Sequence, residues 1–539
     1  MDQVLYVAAA LAAITAAVAA AARRLDWPAP VLLVVAGLAL ALTPGLPRVE
    51  LPPDLVLLVL LPPIIYTASF GMSWQAFCAN LRPIVLLAVG CVVATTIAVA
   101  AAAHWLVGMA WSVAFVLGAI VSPPDVVAPL AIARRLGIPF RISAVLEGEG
   151  LVNDATALVL FEFALAAVIT GSFSLVEATA TFGAVVAGET LYGLAIGWTM
   201  LWLRRLAGDP RIEVTLSLLT PYLAFWVPRT FGGSGVLATV VAGLYVGSAG
   251  VALIRSSTRL PAVFVWDFVT YLITGAIFLL TGLQARTVLD SLGGAPLGRL
   301  VLYGLAISLV AIAVRFLWVF SLTYLPRWLV PPLARRDPAP AWPYPFMIAF
   351  TGVRGVVSLA AALSIPFAVG PERPFPDRGL ILFLTFSVIV VTLVLQGPTL
   401  SFVVRRLGLV ELGRAERRQR EAQQAEAELA AARTALDRLG RSAEDQRLPA
   451  HVLEHTRRQH ERRIHHLERR RDLDGDGAEA VRLAEASELA MLAAEREHIN
   501  KLARLRTIPD EVRRRIERDL DLREERLRHN VQGVSDDEE

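Results

Sequence analysis

Glu147-Gly-Glu149-Gly150-Leu-Val-Asn153-Asp154-Ala-Thr156 sets three carboxylates and an amide inside an apolar stretch that runs from about Ile142 to Ile169. That stretch is long enough to cross the hydrocarbon core of a bilayer, which takes roughly 20 residues of helix. A charged group at the centre of such a helix costs at least ~2.5 kcal/mol, and it persists where it faces a wet cavity, a partner or a transported ion. Polar contacts that hold membrane helices together come from Ser, Thr and Asn more than from clustered acids. The cluster therefore points to a cation or proton site within a membrane, with polar helix–helix contacts as the structural alternative.

The rest of the chain supplies the membrane setting. Of 539 residues, 55% are hydrophobic. Up to about Val410 the charged residues lie mostly in short loops, whereas beyond it Arg and Glu dominate. The net charge of +3 is thus an average over two unlike parts and says little by itself. Cys78 and Cys91 offer no disulfide framework, and no Cys/His spacing fits a zinc site. Seven of the eight His lie in the charged tail, which leaves His104 alone in the apolar part. That distribution, with no Ser/His pairing in the apolar segments, argues against a membrane-embedded enzyme. No resident cofactor and no nucleic-acid partner are expected.

Thirteen apolar segments are expected to span the membrane, at approximately 3–22, 28–45, 53–70, 83–105, 110–133, 142–169, 176–203, 213–228, 234–252, 262–285, 299–325, 344–367 and 377–404. The first begins Met1-Asp2, lacks a basic leader and is followed by Arg23-Arg24, so it reads as a spanning helix rather than a cleaved signal. Basic residues concentrate in alternate loops: Arg23-Arg24, Arg82, Arg134-Arg135 with Arg141, Arg204-Arg205 with Arg211, Arg255 with Arg259, and Arg327 with Arg335-Arg336. Basic loops stay cytoplasmic, which places the N-terminus outside and the tail inside.

Two segments are broken. The fifth reads Gly118-Ala-Ile-Val-Ser122-Pro123-Pro124-Asp125-Val126-Val-Ala-Pro129. Proline removes a backbone donor and clashes with the preceding turn, so the helix is expected to stop there. Irregular backbone at that depth survives only when buried in protein or lining a wet cavity. Asp125 directly follows the break, where it would offset the positive end of a half-helix. The twelfth reads Gly352-Val-Arg354-Gly355-Val-Val-Ser358 and carries a cation that needs an acidic partner, for which Glu149 and Glu147 are candidates. If segments one to six and eight to thirteen are two repeats, the broken helices are fifth in both. The odd offset makes the repeats inverted, and paired interrupted helices mark a transporter site near the bilayer midplane.

Glu149-Gly150-Leu-Val-Asn153-Asp154-Ala-Thr156-Ala resembles the signature of the monovalent cation/proton antiporters that include the sodium/proton exchangers, usually Glu-Ser-x-x-Asn-Asp-x-Thr-Ala. Pro124-Asp125 resembles that family's Thr-Asp-Pro crossover, and Gly352-Val-Arg354-Gly355-Val-Val-Ser358 its Gly-x-Arg-Gly segment. Further likeness lies in Leu61-Pro62-Pro63, Gly233-Ser234-Gly235 and Thr281-Gly282-Leu283-Gln284, so the resemblance covers the whole apolar part. It implies that Asp154 holds either Na⁺ or a proton with Asn153 beside it, that Glu149 and Arg354 form a structural ion pair, and that Asp125 sits at the helix crossover. An Asn-Asp pair is associated in that family with electroneutral exchange. Four positions depart from the pattern. Gly150 replaces a Ser, Pro124 a Thr and Val126 a Pro, and Thr67 stands where some relatives have Glu. At Gly150 and Pro124 only backbone oxygens remain as ligands.

The chemistry follows without the family. Na⁺ is a hard cation and takes carboxylate, carbonyl, hydroxyl and water oxygens. One carboxylate that binds a proton or Na⁺, never both, couples the two by competition. If it must be loaded to change sides, exchange is one for one. With the roles the resemblance implies, the expected protein is an all-α polytopic membrane antiporter of thirteen transmembrane helices in two inverted six-helix repeats, exchanging Na⁺, with K⁺ or Li⁺ as alternatives, for H⁺ at Asp154 and Asn153. Asp125, Pro124 and Gly150 complete the site, with Glu147, Thr156, Glu162 and Ser358 as secondary candidates. A cation channel or a tail-driven membrane sensor is the competing reading.

The transmembrane domain is expected over 1–410, with a core at 83–169 and 299–404 and a scaffold at 1–70 and 213–285. The scaffold is apolar and rich in small residues, which suits packing as a homodimer among membrane lipid. The tail, 411–539, reads as charged cytoplasmic helix with an apolar stripe at Val512, Ile516, Leu520 and Leu527. Asp472-Leu-Asp474-Gly-Asp476-Gly477 resembles the start of a calcium loop but has Leu483 at its twelfth position, so it reads as a turn.

Overall fold

A computed structural model describes residues 2–25, 27–44, 52–250, 253–292, 296–370, 373–446, 450–472, 476–505 and 507–535. The chain divides into two compact units, Met1–Val410 and Glu411–Glu539.

In the first unit the apolar segments have become helices, and a short antiparallel strand pair, Ala368–Gly370 with Arg373–Pro374, joins the last two of them. Among the described residues six helices are long and apolar enough to cross a membrane: Leu81–Val107, Phe140–Thr170, Leu175–Ala207, Ser256–Asp290, Leu297–Leu329 and Arg378–Arg406. Other segments are shorter apolar helices, such as Ala29–Leu42, Leu55–Gly71 and Val236–Gly250. Two are interrupted. Trp111–Val121 stops at Ser122-Pro123-Pro124 and resumes as Val127–Arg135, and Pro343–Phe350 stops at Thr351 and resumes as Val356–Leu363.

Local sequence explains where helices begin and end. Asp209 accepts the Arg211 N–H at 2.7 Å, ahead of a proline at the first helical position, and so opens Pro210–Thr230. Gly171, at φ 71°, ends Phe140–Thr170 in a left-handed conformation. Pro62 and Pro63 offer no N–H to the turn before them, which is locally widened over Leu55–Leu60. The carbonyls of that turn find partners on a neighbouring helix instead. Trp226 Nε1 donates to Leu58 O at 2.9 Å and the Tyr222 hydroxyl to Val59 O at 3.3 Å. Trp226 and Tyr222 are four residues apart and so share a helix face.

Close approach of backbones packs the unit. A Cβ at Gly37 would lie 2.3 Å from Leu279 O, and one at Gly282 would lie 2.2 Å from Val34 O, so Ala29–Leu42 and Ser256–Leu283 touch through facing glycines. Gly118 meets Thr96 O in the same way, at 2.3 Å. Small residues at such contacts are how helices associate where lipid removes the hydrophobic drive. The largest buried apolar cluster, with Ile84, Leu117, Leu151, Ile307, Ala360 and Leu384, surrounds the two interrupted helices.

The second unit consists of two helix pairs. Leu429 and Ala432 of Leu409–Gln446 bury against Leu467 and Ile464 of Ala450–Asp472. Arg496 of Asp476–Arg504 bridges Asp521 and Glu524 of Asp510–Ser535, at 2.6 and 2.8 Å. Of the expected apolar stripe, Leu520 is buried, Ile516 and Leu527 are half-buried and Val512 is exposed. The turn expected at 472–477 falls largely outside the described residues.

Candidate cation site

The two interrupted helices cross at their breaks, which span 122–126 and 351–355. Asp125 N donates to Val353 O at 2.6 Å, so one extended segment is tied to the other by backbone. Four half-helix ends meet here, and each leaves unpaired backbone groups and a partial charge. The charged side chains answer them. Asp125 Oδ1 accepts the Val127 N–H at 2.9 Å, at the positive end of Val127–Arg135. Its Oδ2 lies 1.9 Å from where a Cβ on Gly355 would be, at the positive end of Val356–Leu363. Only glycine allows that approach. Arg354 does the opposite work. Its Nε donates to Val121 O at 2.7 Å, the last carbonyl of Trp111–Val121, and Nη1 donates to Gly352 O. Its backbone N–H reaches Thr392 Oγ1 at 3.0 Å.

The expected Glu149–Arg354 pair is not what forms. Glu149, fully buried, takes both guanidinium nitrogens of Arg315, at 2.5 and 2.8 Å. Arg315 is equally buried, and its Nε and Nη2 also donate to Ile348 O, at 3.2 and 2.9 Å. The physical reason is that Arg354 is already satisfied by carbonyls at the negative end of a half-helix. Arg315 takes both carboxylate oxygens of Glu149 in a bidentate fork, and Arg354 spends its own donors on Val121 O and Gly352 O. Arg315 carried a legible signal, since it stands alone in the apolar run Ala311-Ile-Ala-Val-Arg315-Phe-Leu-Trp. A lone cation there demands an acid from another helix.

Beside the crossing lies a cavity of about 120 Å³ lined by Asp154, Asp125, Glu147, Gly150, Pro124 and Ser358, among others. Asp154 makes no hydrogen bond or ion pair among the described residues. Asn153 is fully buried, and its Nδ2 donates to Pro124 O at 2.7 Å, which ties the long helix Phe140–Thr170 to the break. Its Oδ1 is buried without a partner. The Asp154 carboxylate and Pro124, which line the cavity, and the unpartnered amide oxygen of the adjacent Asn153 supply the oxygen types a hard monovalent cation takes. Gly150 borders the cavity with no side chain, and a Cβ there would lie 2.2 Å from Val126 Cγ2. Glu147 lies two turns from Asp154 and is held by Arg134 at 2.8 Å.

Two sequence candidates fall elsewhere. Thr156 turns its hydroxyl to Val152 O within its own helix at 3.3 Å. Glu162 is exposed and is not among the residues lining this cavity. Glu189, outside the core segments, is buried as a cap: it accepts from Ser234 Oγ, Gly235 N and Ala238 N at 2.9–3.2 Å, at the start of Val236–Gly250. Among the described residues no group of three or more His, Cys, Asp or Glu side chains is placed to hold a metal ion.

Comparison with known proteins finds relatives in sequence and in fold. Residues 9–406 match the family model for the transmembrane sodium/hydrogen exchangers. A Na⁺/H⁺ exchanger of Mycobacterium tuberculosis is 34% identical over 504 residues, 92% of this chain and 91% of that protein. The sodium, potassium, lithium and rubidium/H⁺ antiporter of Bacillus subtilis is 34% identical over 68% of this chain and 56% of its own length. Among solved structures, the sodium proton antiporter MjNhaP1 of Methanocaldococcus jannaschii shares the fold, with a TM-score of 0.60 over 76% of this chain and 99% of that one at 19% identity.

Proposed function

This chain belongs to the transmembrane sodium/hydrogen exchanger family, a multi-pass membrane transporter and not an enzyme, and we propose that it exchanges Na⁺, K⁺ or Li⁺ for H⁺ by competition at Asp154. One observation carries the reading: among the described residues Asp154 is a carboxylate without a hydrogen-bond partner, in a cavity beside the crossing of two interrupted helices. A proton or a dehydrated cation fills its lone pairs, and either neutralises it. The loaded carboxylate crosses between the two faces, whereas the empty one carries a charge that apolar packing resists. Loading by one proton or one monovalent cation gives one-for-one, electroneutral exchange.

Asn153 Oδ1 and the backbone at Pro124 and Gly150 complete the shell around Asp154. Asp125 positions the crossing through Val127 and Gly355. Interruptions of five residues each, at 122–126 and 351–355, support inverted repeats and alternating access, since unwound segments in corresponding places are how such transporters build a midplane site.

Proteoliposomes loaded acidic inside and given Na⁺, K⁺ or Li⁺ outside test the reading. The expected result is collapse of the pH gradient with no change in membrane voltage, at a rate that ranks the three cations. Asp154→Asn keeps size and removes the titratable charge, so the folded variant is expected to be inactive. Cation-dependent proton flux surviving in that variant would overturn the assignment.

A further inference from the structure

Besides Asp154 and the crossing residue Asp125, the cavity has a third carboxylate, Glu147, to which the competition assigns no part. Glu147 and Asp154 are seven residues apart on one helix, about 10 Å along the axis and on nearly the same face. Both line the cavity, and Gly150, between them, lines it without a side chain. Val126 packs against Gly150 and also lines the cavity, so the route from one carboxylate to the other runs past its side chain. Glu147 Oε1 is held by Arg134 Nη2 at 2.8 Å. Arg134 lies in the last turn of Val127–Arg135, the half-helix whose first N–H Asp125 accepts, so the pair spans the two elements that build the site.

A larger cavity, of about 620 Å³, also reaches Arg134. It shares Ile64, Ala68, Val127, Leu130, Arg134 and Thr274 with the Asp154 cavity, so the two linings are continuous. Glu147 lines the inner cavity and not the outer one, and Arg134 lines both. Arg134 is 62% exposed while Glu147 is 20% exposed, which leaves the guanidinium the more displaceable partner. A cation arriving through the larger space meets the carboxylate of Glu147 before it meets Asp154, in competition with a positive charge already there.

We propose that Glu147 is an outer cation-holding residue on the route to Asp154 and that Arg134 is its built-in competitor. The pair sets how readily cations load without taking part in the exchange itself. The proposal rests on the reading of Asp154 as the exchanging carboxylate. Glu147→Gln removes the outer holding charge, and Arg134→Gln releases it.

The test is the apparent KM and kcat for Na⁺-driven proton flux in proteoliposomes of wild type, E147Q, R134Q and the double variant. An exposed ion pair sets the scale at about two- to fivefold. E147Q is expected to raise KM by that factor and R134Q to lower it, with smaller changes in kcat. The double variant is expected to match E147Q, because Arg134 acts through Glu147. An equal effect of R134Q with and without Glu147 would reduce the arginine to a general field and overturn the proposal. So would an unchanged KM in E147Q, or a loss confined to kcat and thermal stability. D154N run beside them separates the failures: exchange surviving there sinks the central reading, whereas a dead D154N with a silent E147Q sinks only the outer site.

Discussion

At the scale of single residues, the site is governed by which charge meets which backbone. Glu149 and Arg315 are each within 1% of complete burial and bind in a two-pronged pair. Breaking such a pair leaves a bare charge, at a cost of about 3–5 kcal/mol. Glu149→Gln and Arg315→Met are therefore each expected to lower thermal stability strongly, and a double-mutant cycle is expected to show coupling between them. The same cycle on Glu149 and Arg354 is expected to show much weaker coupling, because Arg354 is held by Val121 O and Gly352 O. Equal coupling in both cycles would overturn the assignment of partners. Gly150 gives a second prediction. Any side chain at 150 runs into Val126, so Gly150→Ser is expected to cost about 1–3 kcal/mol of overpacking and to slow exchange. Val126→Ala opens the space and is expected to restore stability in the double variant, which melting curves of the four proteins would show.

At the scale of elements, legibility followed how local the cause was. The breaks at Pro123-Pro124 and at Gly352 to Gly355 could be placed from the sequence, because proline and glycine act on their own backbone. The cavity-lining Asp154, Asp125 and Glu147 could be named as well, since acids in an apolar stretch have few other uses. Pairings across helices could not. Arg354 and Arg315 are both lone cations in apolar runs, and only the three-dimensional crossing decides which one faces Glu149 and which faces the carbonyl end of a half-helix. Glu189 is the same lesson from the other sign. Its sequence setting says only that a buried acid needs donors, and the fold supplies them from Ser234, Gly235 and Ala238. Removing it strands buried N–H groups at about 1–3 kcal/mol each. Glu189→Ala is thus expected to destabilise the protein and to speed amide exchange at Gly235 and Ala238 before other sites. Uniform exchange across the helix would mean that the carboxylate is not a cap.

At the scale of the whole molecule, the proposed alternating access needs one part of the membrane unit to stay still while another moves. The costly groups gather in 83–169 and 299–404: the two crossing helices, the Glu149–Arg315 pair and the Asp154 cavity. A body tied together by a buried ion pair and by backbone bonds across a crossing moves as one. The helices at 1–70 and 213–285 pack instead through facing glycines, as at Gly37 and Gly282, and present broad apolar surface, with Leu260, Phe264 and Phe268 exposed. That surface suits lipid or a second copy of the chain. We propose that these helices form the still part, within a homodimer. The cavity walls separate the two bodies: Ile64 and Ala68 belong to the still part, and Val126 and Leu130 to the mover. With Cys78 and Cys91 replaced, a reversible crosslink between cysteines at 68 and 130 is expected to stop exchange and reduction to restore it. Crosslinks between two subunits through 1–70 are expected to leave exchange intact. Exchange that survives the first crosslink, or fails with the second, would show that the moving boundary does not run through this cavity.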